Sequence, residues 1–327
     1  MVSRPGGFLQ GVLLVLALFL FAGVFAIGIA FGVGAMLAVG QVDEVVLERT
    51  VREAGSQRIA VIPVSGGIDD AQARFVRAAV AHVMKDTSID AVVLRVDSPG
   101  GGVSPSDQIW REVERLKQSR RPVVASFGGM AASGGYYVAC GTDHIVAEPT
   151  TITGSIGVIA QILTMEGLME KIGVQPVTLV ASGSPQKDVA NDLFRTWNDA
   201  DRAKVKSMLD AAYAVFNKRV ATGRASAIPD PKQVDAIANG SIYTAEQAVA
   251  NGLADQIGYL DDAIAVAEQR ATIPAGRASV VELVLPPPLF SSSGLLGRDA
   301  SPRGVDADAI RSLLVELGSP RPMYLMH

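Results

Sequence analysis

The stretch from Pro122 to Cys140 leaves this chain few ways to fold. Pro122-Val123-Val124-Ala125-Ser126 is a short apolar run that reads as a buried strand. It leads into Phe127-Gly128-Gly129-Met130-Ala131-Ala132-Ser133-Gly134-Gly135, where every residue from Gly128 on is small except Met130. Backbone with so little side chain turns sharply and lets a neighbouring segment come close. Gly134 to Cys140 then reads as the start of a helix, with Ser133 at the junction. Serine is a favoured N-cap and needs no further role there. It can also present its hydroxyl as a nucleophile, with the helix's first amides supplying positive partial charge. The stretch alone leaves both readings open.

The flanking sequence repeats the strand–turn–helix theme. Ile59 to Val64 reads as a strand ended by Ser65-Gly66-Gly67, and Asp70 to Lys85 has helical spacing through Phe75, Ala79 and Val83. Ala91 to Val96 is a second buried strand running into Asp97-Ser98-Pro99-Gly100-Gly101-Gly102, and Ser106 to Gln118 is a helix through Ile109, Val113 and Leu116. His144 to Ala147 is another strand, Thr164 to Gly173 a helix and Pro176 to Val180 a strand. Ala181 to Asp188 is a loop by composition. A long helix from about Trp197 to Gly223 carries an apolar stripe at Val205, Met208, Leu209, Ala212 and Phe216, suited to a core or a subunit interface. Shorter helices are expected at Pro231–Ala238, Thr244–Ala250 and Asp261–Arg270, and a last strand at Ala278–Leu285. Such alternation predicts an α/β fold with a mainly parallel sheet, whose sites collect where strands end at their carboxyl side.

Phe8 to Gly40 is 33 residues without a charge, long enough to cross a bilayer and longer than a secretory apolar core. Residues 1–42 are therefore expected to be a short stub and a transmembrane anchor, although Ala38-Val39-Gly40 resembles a cleavage site. Gly28 to Gly32 forms a GxxxG that could pack helices together. Residues 43–58 are charged and expected to be a helical or flexible connector, and 59–285 the main domain. The Pro286-Pro287-Pro288 and Ser291-Ser292-Ser293 runs mark 286–327 as a linker and tail, with a small helix expected at Asp306–Leu317. A net charge of −4 gives no basic excess for nucleic acid. The single cysteine, Cys140, excludes an intramolecular disulfide and a multi-cysteine zinc site.

Taken together, Val96 to Gly102, the turn Ala132-Ser133-Gly134-Gly135-Tyr136-Tyr137, Thr153-Gly154-Ser155-Ile156-Gly157, Ser182-Gly183 to Lys187-Asp188 and the region Gly240 to Gly258 make the chain resemble the signal peptide peptidase A family of membrane serine peptidases. The resemblance covers about residues 59–275, with the anchor in the expected place. It implies a ClpP/crotonase-like fold with an N-terminal transmembrane helix. It also implies a Ser–Lys dyad with Ser133 as nucleophile, Lys187 as general base and Ser155 orienting the lysine. The Gly101 and Gly134 amides would form the oxyanion hole, with no metal or cofactor. Two positions depart from the family pattern. Asp97 stands where asparagine is usual, and the longer loop before Lys187 carries Pro185-Gln186 where a histidine or aromatic residue is common.

The resemblance further implies hydrophobic peptides, such as signal peptides left in the bilayer, as substrates. It implies a single-pass protein of the cell (inner) membrane, its catalytic domain outside the cytoplasm. In single-repeat members of the family, neighbouring chains of a ring supply the serine and the lysine of one site. The single copy of each motif here, and the 54 residues between Ser133 and Lys187, allow that arrangement. A lysine acts as a base only when neutral, so its pKa must fall from about 10.4 through burial. His144, 11 residues after Ser133, is the alternative base. The competing functions are an inactive scaffold of the same fold and a crotonase-like acyl-CoA enzyme, which would also use two amides as an oxyanion hole.

Overall fold

The structure, a computed structural model, describes residues 46–286 and the backbone of residues 323–325. The apolar runs become the centre of one sheet. Strands β2 (Arg58–Ile68), β3 (Ile89–Gly102), β4 (Val123–Ala132), β5 (His144–Ala147) and β8 (Gln256–Ile257) lie side by side in that order, all parallel. Parallel neighbours need crossover connections. Helix α1 (Asp70–Lys85) crosses from β2 to β3, α2 (Val103–Gln118) from β3 to β4, and the short α3 (Gly134–Ala139) follows β4. β9 (Ser279–Val284) pairs parallel to β2, and β1 (Leu47–Arg52) pairs antiparallel to β9. Two short strands continue the sheet near the site: β6 (Ile152–Gly154) parallel to β4, and β7 (Ile242–Thr244) antiparallel to β6.

Both faces of the central strands are buried. Ala60, Ile62, Val64, Val92, Leu94 and Val96 share a core with α1, α2 and α3. Ile59, Val61, Ala91, Val93, Val124 and Val146 pack instead against Ala263, Ile264 and Ala267 of α8 (Leu260–Arg270). Two covered faces explain why these strands read as continuous apolar runs rather than alternating ones. The helix starts are local: the Asp69 side chain accepts the Gln72 amide at 2.8 Å to cap α1.

Four stretches differ from the sequence expectation. Residues 43–58 were expected as a helical or flexible connector, yet they hold β1, which pairs with β9 because Leu47–Arg52 meets an open sheet edge. The glycine loops at Gly66–Gly67 and Gly100–Gly102 continue β2 and β3 through a bulge instead of ending them. Pro176–Val180 forms no strand, having no neighbour among the described residues to pair with: Val177 is 79% and Leu179 90% exposed. The long helix α5 (Asp199–Gly223) begins and ends close to expectation, but of its apolar stripe only Phe216 is buried, while Met208 is 48% exposed. Helices α4 (Glu166–Ile172), α6 (Pro231–Ile237) and α7 (Ala245–Ala250) fall near their expected places. The expected anchor at Phe8–Gly40 and the helix at Asp306–Leu317 lie outside the described residues, and among those described no helix is long and apolar enough to cross a membrane.

Candidate active site

Ser133 sits where β4 breaks into α3. Its backbone is at φ 52°, ψ −116°, a conformation that costs a non-glycine residue about 1–3 kcal/mol and persists only where the surroundings impose it. They do so through the sheet. Ala132 pairs with Gly154 of β6, the Ser133 amide donates to the Gly154 carbonyl at 2.8 Å, and its own carbonyl accepts the Tyr137 amide at 2.8 Å. The Ser133 hydroxyl does not cap α3. It is fully buried and has no hydrogen-bond partner among the described residues. A capping serine would have spent that oxygen on an amide, so the bland reading of this residue fails on geometry.

Ser155 follows Gly154 as Ser133 follows Ala132, so the two serines extend paired strand ends. It too has a positive φ, 49°, and its amide donates to the Ser241 carbonyl at 2.7 Å. It is almost fully buried.

The glycine-rich end of β3 forms the facing wall. A Cβ on Gly134 would lie 2.7 Å from the Ser106 Oγ, 3.1 Å from the Gly101 nitrogen and 3.2 Å from the Gly100 Cα. Gly134 must therefore be glycine for the two backbones to approach, and that approach brings Gly101 beside the residue after Ser133. A Cβ on Gly101 would run into the Ile68 backbone on its other side. Side chains the sequence reading did not single out hold this wall. The Ser98 hydroxyl donates to the Gly66 carbonyl at 2.6 Å and accepts the Gly100 amide at 3.1 Å. Ser106 donates to the Gly102 carbonyl at 2.8 Å, and Thr153 to the Ala131 carbonyl at 2.6 Å. Hydroxyl residues in glycine-rich turns are too common for spacing alone to have flagged them. Asp97 accepts the Met130 amide at 3.1 Å, so its carboxylate pins the far end of β4.

Past Ser98, which pairs with Ala131, β4 turns away and one edge of Gly100–Gly102 is left without it. The backbone of β10 (Met323–Leu325) lies on these residues antiparallel, with Tyr324 opposite Gly101.

Ser133, Ser155, Gly134 and Gly101 thus converge, and Lys187 does not join them. It lies on an exposed turn, its amide bonded to the Ser184 carbonyl at 3.0 Å, and no hydrogen bond or ion pair among the described residues holds its ammonium. The alternative base is also apart. His144 opens β5, at the opposite end of the parallel strands from the Ser133 turn, and faces Asp255 and Gln256. Cys140 is a buried residue whose thiol is pushed up to about 12 by burial, and its Sγ donates to the Tyr137 carbonyl. Among the described residues, Glu48, His82 and Asp86 cluster closely enough for a metal ion, but Arg58 already pairs with both carboxylates, and the cluster belongs to β1 and α1.

The profile of Peptidase family S49 matches residues 115–274, the segment that holds Ser133, Ser155 and Lys187. An Enterococcus faecium protein named "Putative signal peptide peptidase SppA" is 34% identical over 297 residues, covering 85% of this chain and 84% of that one. Protease 4 of Salmonella typhi is 39% identical over 188 residues, 58% of this chain but only 29% of its own length. Serine protease SPPA, chloroplastic, of Arabidopsis thaliana is 34% identical over 233 residues, 69% of this chain and 34% of its own. With a relative matched over most of both chains, and the family profile lying across the strained serine turn, this chain belongs to peptidase family S49, the family of signal peptide peptidase A.

Proposed function

We propose that this serine peptidase hydrolyses hydrophobic peptides, signal peptides left in the membrane among them, with Ser133 as nucleophile and a Lys187 supplied by a neighbouring subunit as general base. The observation that carries the reading is the pair of unmet halves. Among the described residues a buried Ser133 hydroxyl has no partner, and an exposed Lys187 has none either. Burying the lysine against a second chain would strip water from its ammonium and favour the neutral amine, which a base requires.

The chemistry follows from the wall positions. Neutral Lys187 takes the Ser133 proton as Oγ attacks the scissile carbonyl carbon. The Gly101 and Gly134 amides stabilise the resulting oxyanion. Lysine then returns the proton to the leaving amine, and water that gives its proton to the neutral lysine attacks the acyl carbon and releases it from Ser133, which takes that proton back. The Ser155 hydroxyl, one strand over, accepts a hydrogen bond from lysine without adding a negative charge that would hold the ammonium protonated. An extended peptide adds a strand at the edge of Gly100–Gly102 that β4 leaves, taking the place of β10, whose antiparallel backbone on that edge supports this mode. The ClpP/crotonase-like fold, the anchor at Phe8–Gly40, the ring and an extracytoplasmic catalytic domain complete the reading. The exposed stretch from Val174 to Lys187 supplies the arm that would cross between subunits.

Co-expression of Ser133→Ala and Lys187→Ala subunits tests this. Each alone is expected to be inactive, and mixed rings regain activity where unlike subunits meet. Zero recovery in rings shown to contain both would return the dyad to one chain. Full activity of Lys187→Ala alone would remove the lysine mechanism.

A further inference from the structure

Arg195 and Asp201 lie outside every motif that drew attention in the sequence. The Asp201 side chain is fully buried at the start of α5 and its carboxylate accepts four hydrogen bonds. Two come from Arg195, at 2.6 and 2.8 Å, one from the Ala190 amide at 2.8 Å and one from the Asn198 amide at 2.8 Å. Arg195 reaches further, donating to the Asp188 carbonyl at 3.1 Å, with its Nε 3.9 Å from the Asp188 carboxylate. The main chain is thus held to this pair at Asp188 and at Ala190, one and three residues after Lys187. Ala190 is itself at φ 60°, in the left-handed region, and its captured amide helps to hold it there. Trp197, bonded through Nε1 to the Asp192 carbonyl at 2.9 Å, closes the knot. On the other side of Lys187, residues 174–186 form no helix or strand and are almost all exposed. The lysine is anchored from its carboxyl side.

We propose that Arg195 and Asp201 are positioning residues: an ion pair at the foot of α5, its carboxylate buried and its guanidinium partly exposed, presents Lys187 and draws the adjacent Asp188 carboxylate away from it. The inference rests on the reading of Lys187 as the base. The charged groups around the turn are Asp188, Asp192, Arg195, Asp201 and, from the first turn of α4, Glu166, which binds Thr196. Asp188 is next to Lys187 in the chain, and a free carboxylate there would favour the ammonium. Hydrogen bonds from Arg195 hold the Asp201 carboxyl well below the usual carboxylate range, so the pair stays ionised wherever the enzyme works.

The test is the pH profile of peptide hydrolysis by the full-length protein. Arg195→Ala frees Asp188 and loosens the turn. The rise of activity with pH should then move up by about half a unit or more, with kcat falling at least about 10-fold and KM within about 3-fold. Arg195→Lys keeps the charge and loses the planar fork, so the rise should return to its wild-type pH with kcat only partly restored. A lesion that merely softened the fold would lower activity at every pH and leave the midpoint in place. An unmoved midpoint in Arg195→Ala overturns the proposal. Should that variant not accumulate folded, wild-type kcat in both Arg195→Lys and Asp201→Asn overturns it. Lys187→Ala is assayed alongside. If it is active, the base assignment itself fails; if it is inactive while Arg195→Ala leaves the midpoint unmoved, only the positioning role does.

Discussion

Helix α5 is fixed at each end by an arginine and an aspartate, and the two ends differ in what they are fixed to. At its carboxyl end Arg224, 3% exposed, forks onto Asp255 at 2.7 and 2.9 Å and donates to the Gly252 carbonyl at 2.9 Å. Asp255 also accepts the Ile145 amide at 2.7 Å, so this end is tied into β5 and the sheet that carries Ser133. At the amino end Arg195 and Asp201 hold only their own neighbourhood, residues 188–201, beside a stretch that projects into solvent. One half of the candidate site is built into a two-faced core. The other half is a solvated arm on a local knot. If Lys187 is the base proposed above, its work demands a desolvation that this exposed turn does not provide.

The largest effect that would break this comparison is at the chemistry. Ser133→Ala and Lys187→Ala should each lower kcat by at least about 10³-fold while thermal unfolding stays within a few degrees of wild type. A chelator should not inhibit, and activity should rise into mildly alkaline pH as the lysine loses its proton. Lys187→Ala retaining activity would leave the arm without a catalytic role.

Next in size is the footing of the sheet half. Arg224→Ala removes the buried member of the pair and leaves the partly exposed Asp255 without its partner, which should cost about 3 kcal/mol of stability, read by denaturant unfolding. Burial raises the Asp255 pKa, but the Arg224 hydrogen bonds and charge outweigh it and hold the carboxyl below its usual range. Its contribution is therefore present at neutral pH and is lost as pH falls through the depressed folded value. In Arg224→Ala acid unfolding should begin at a higher pH than in wild type. An equal loss from Arg195→Ala would mean that the two ends are equivalent footings of one core.

What was legible in the sequence follows the same division. The strands at Ile59, Ala91 and Pro122 and the helix Asp70–Lys85 were readable because both sides of each strand, and one face of the helix, meet the core within the same chain. The Ser133 turn was readable because only small residues fit its approach to Gly100 and Gly101. The strand expected at Pro176–Val180 rested on the same apolar composition and failed, because a strand needs a partner as well as a pattern. For the stripe of α5 the core reading fails at Met208, while the subunit-interface reading concerns contacts beyond one protomer. Arg195 and Asp201 were invisible because they act through hydrogen bonds to main chain, which leave no spacing to read.

A smaller change probes the approach of the two glycine backbones. Gly134→Ala places a methyl group 2.7 Å from the Ser106 Oγ and 3.1 and 3.2 Å from the Gly101 nitrogen and Gly100 Cα, so the hydroxyl must turn and the backbone must shift to admit it. The cost in stability should be about 1–3 kcal/mol from overpacking. Because the displaced amide is an oxyanion donor in the proposed mechanism, kcat should fall about 100-fold with KM little changed. Melting temperature and steady-state kinetics on the same preparation separate the two losses, and a stability loss with unaltered kcat would take Gly134 out of the oxyanion hole.

The smallest effect on the protomer is expected where the arm is most apolar. Val177 and Leu179 lie two positions apart on a segment with no strand partner among the described residues, and each is more than three-quarters exposed. Burying a leucine side chain is worth about 1.5–3 kcal/mol, and here the fold of one chain gains little of it. Replacing both residues with serine should therefore leave protomer stability within about 0.5 kcal/mol. If the arm instead docks on a second chain, the same two changes remove apolar contact at every interface of a ring. The double variant should then sediment as smaller species at concentrations where wild type stays assembled. Its activity should fall with dilution more steeply than wild type, because a site shared between chains exists only in the assembly. Activity that stays proportional to concentration, in a variant shown to be monomeric, would mean that Lys187 reaches Ser133 of its own chain.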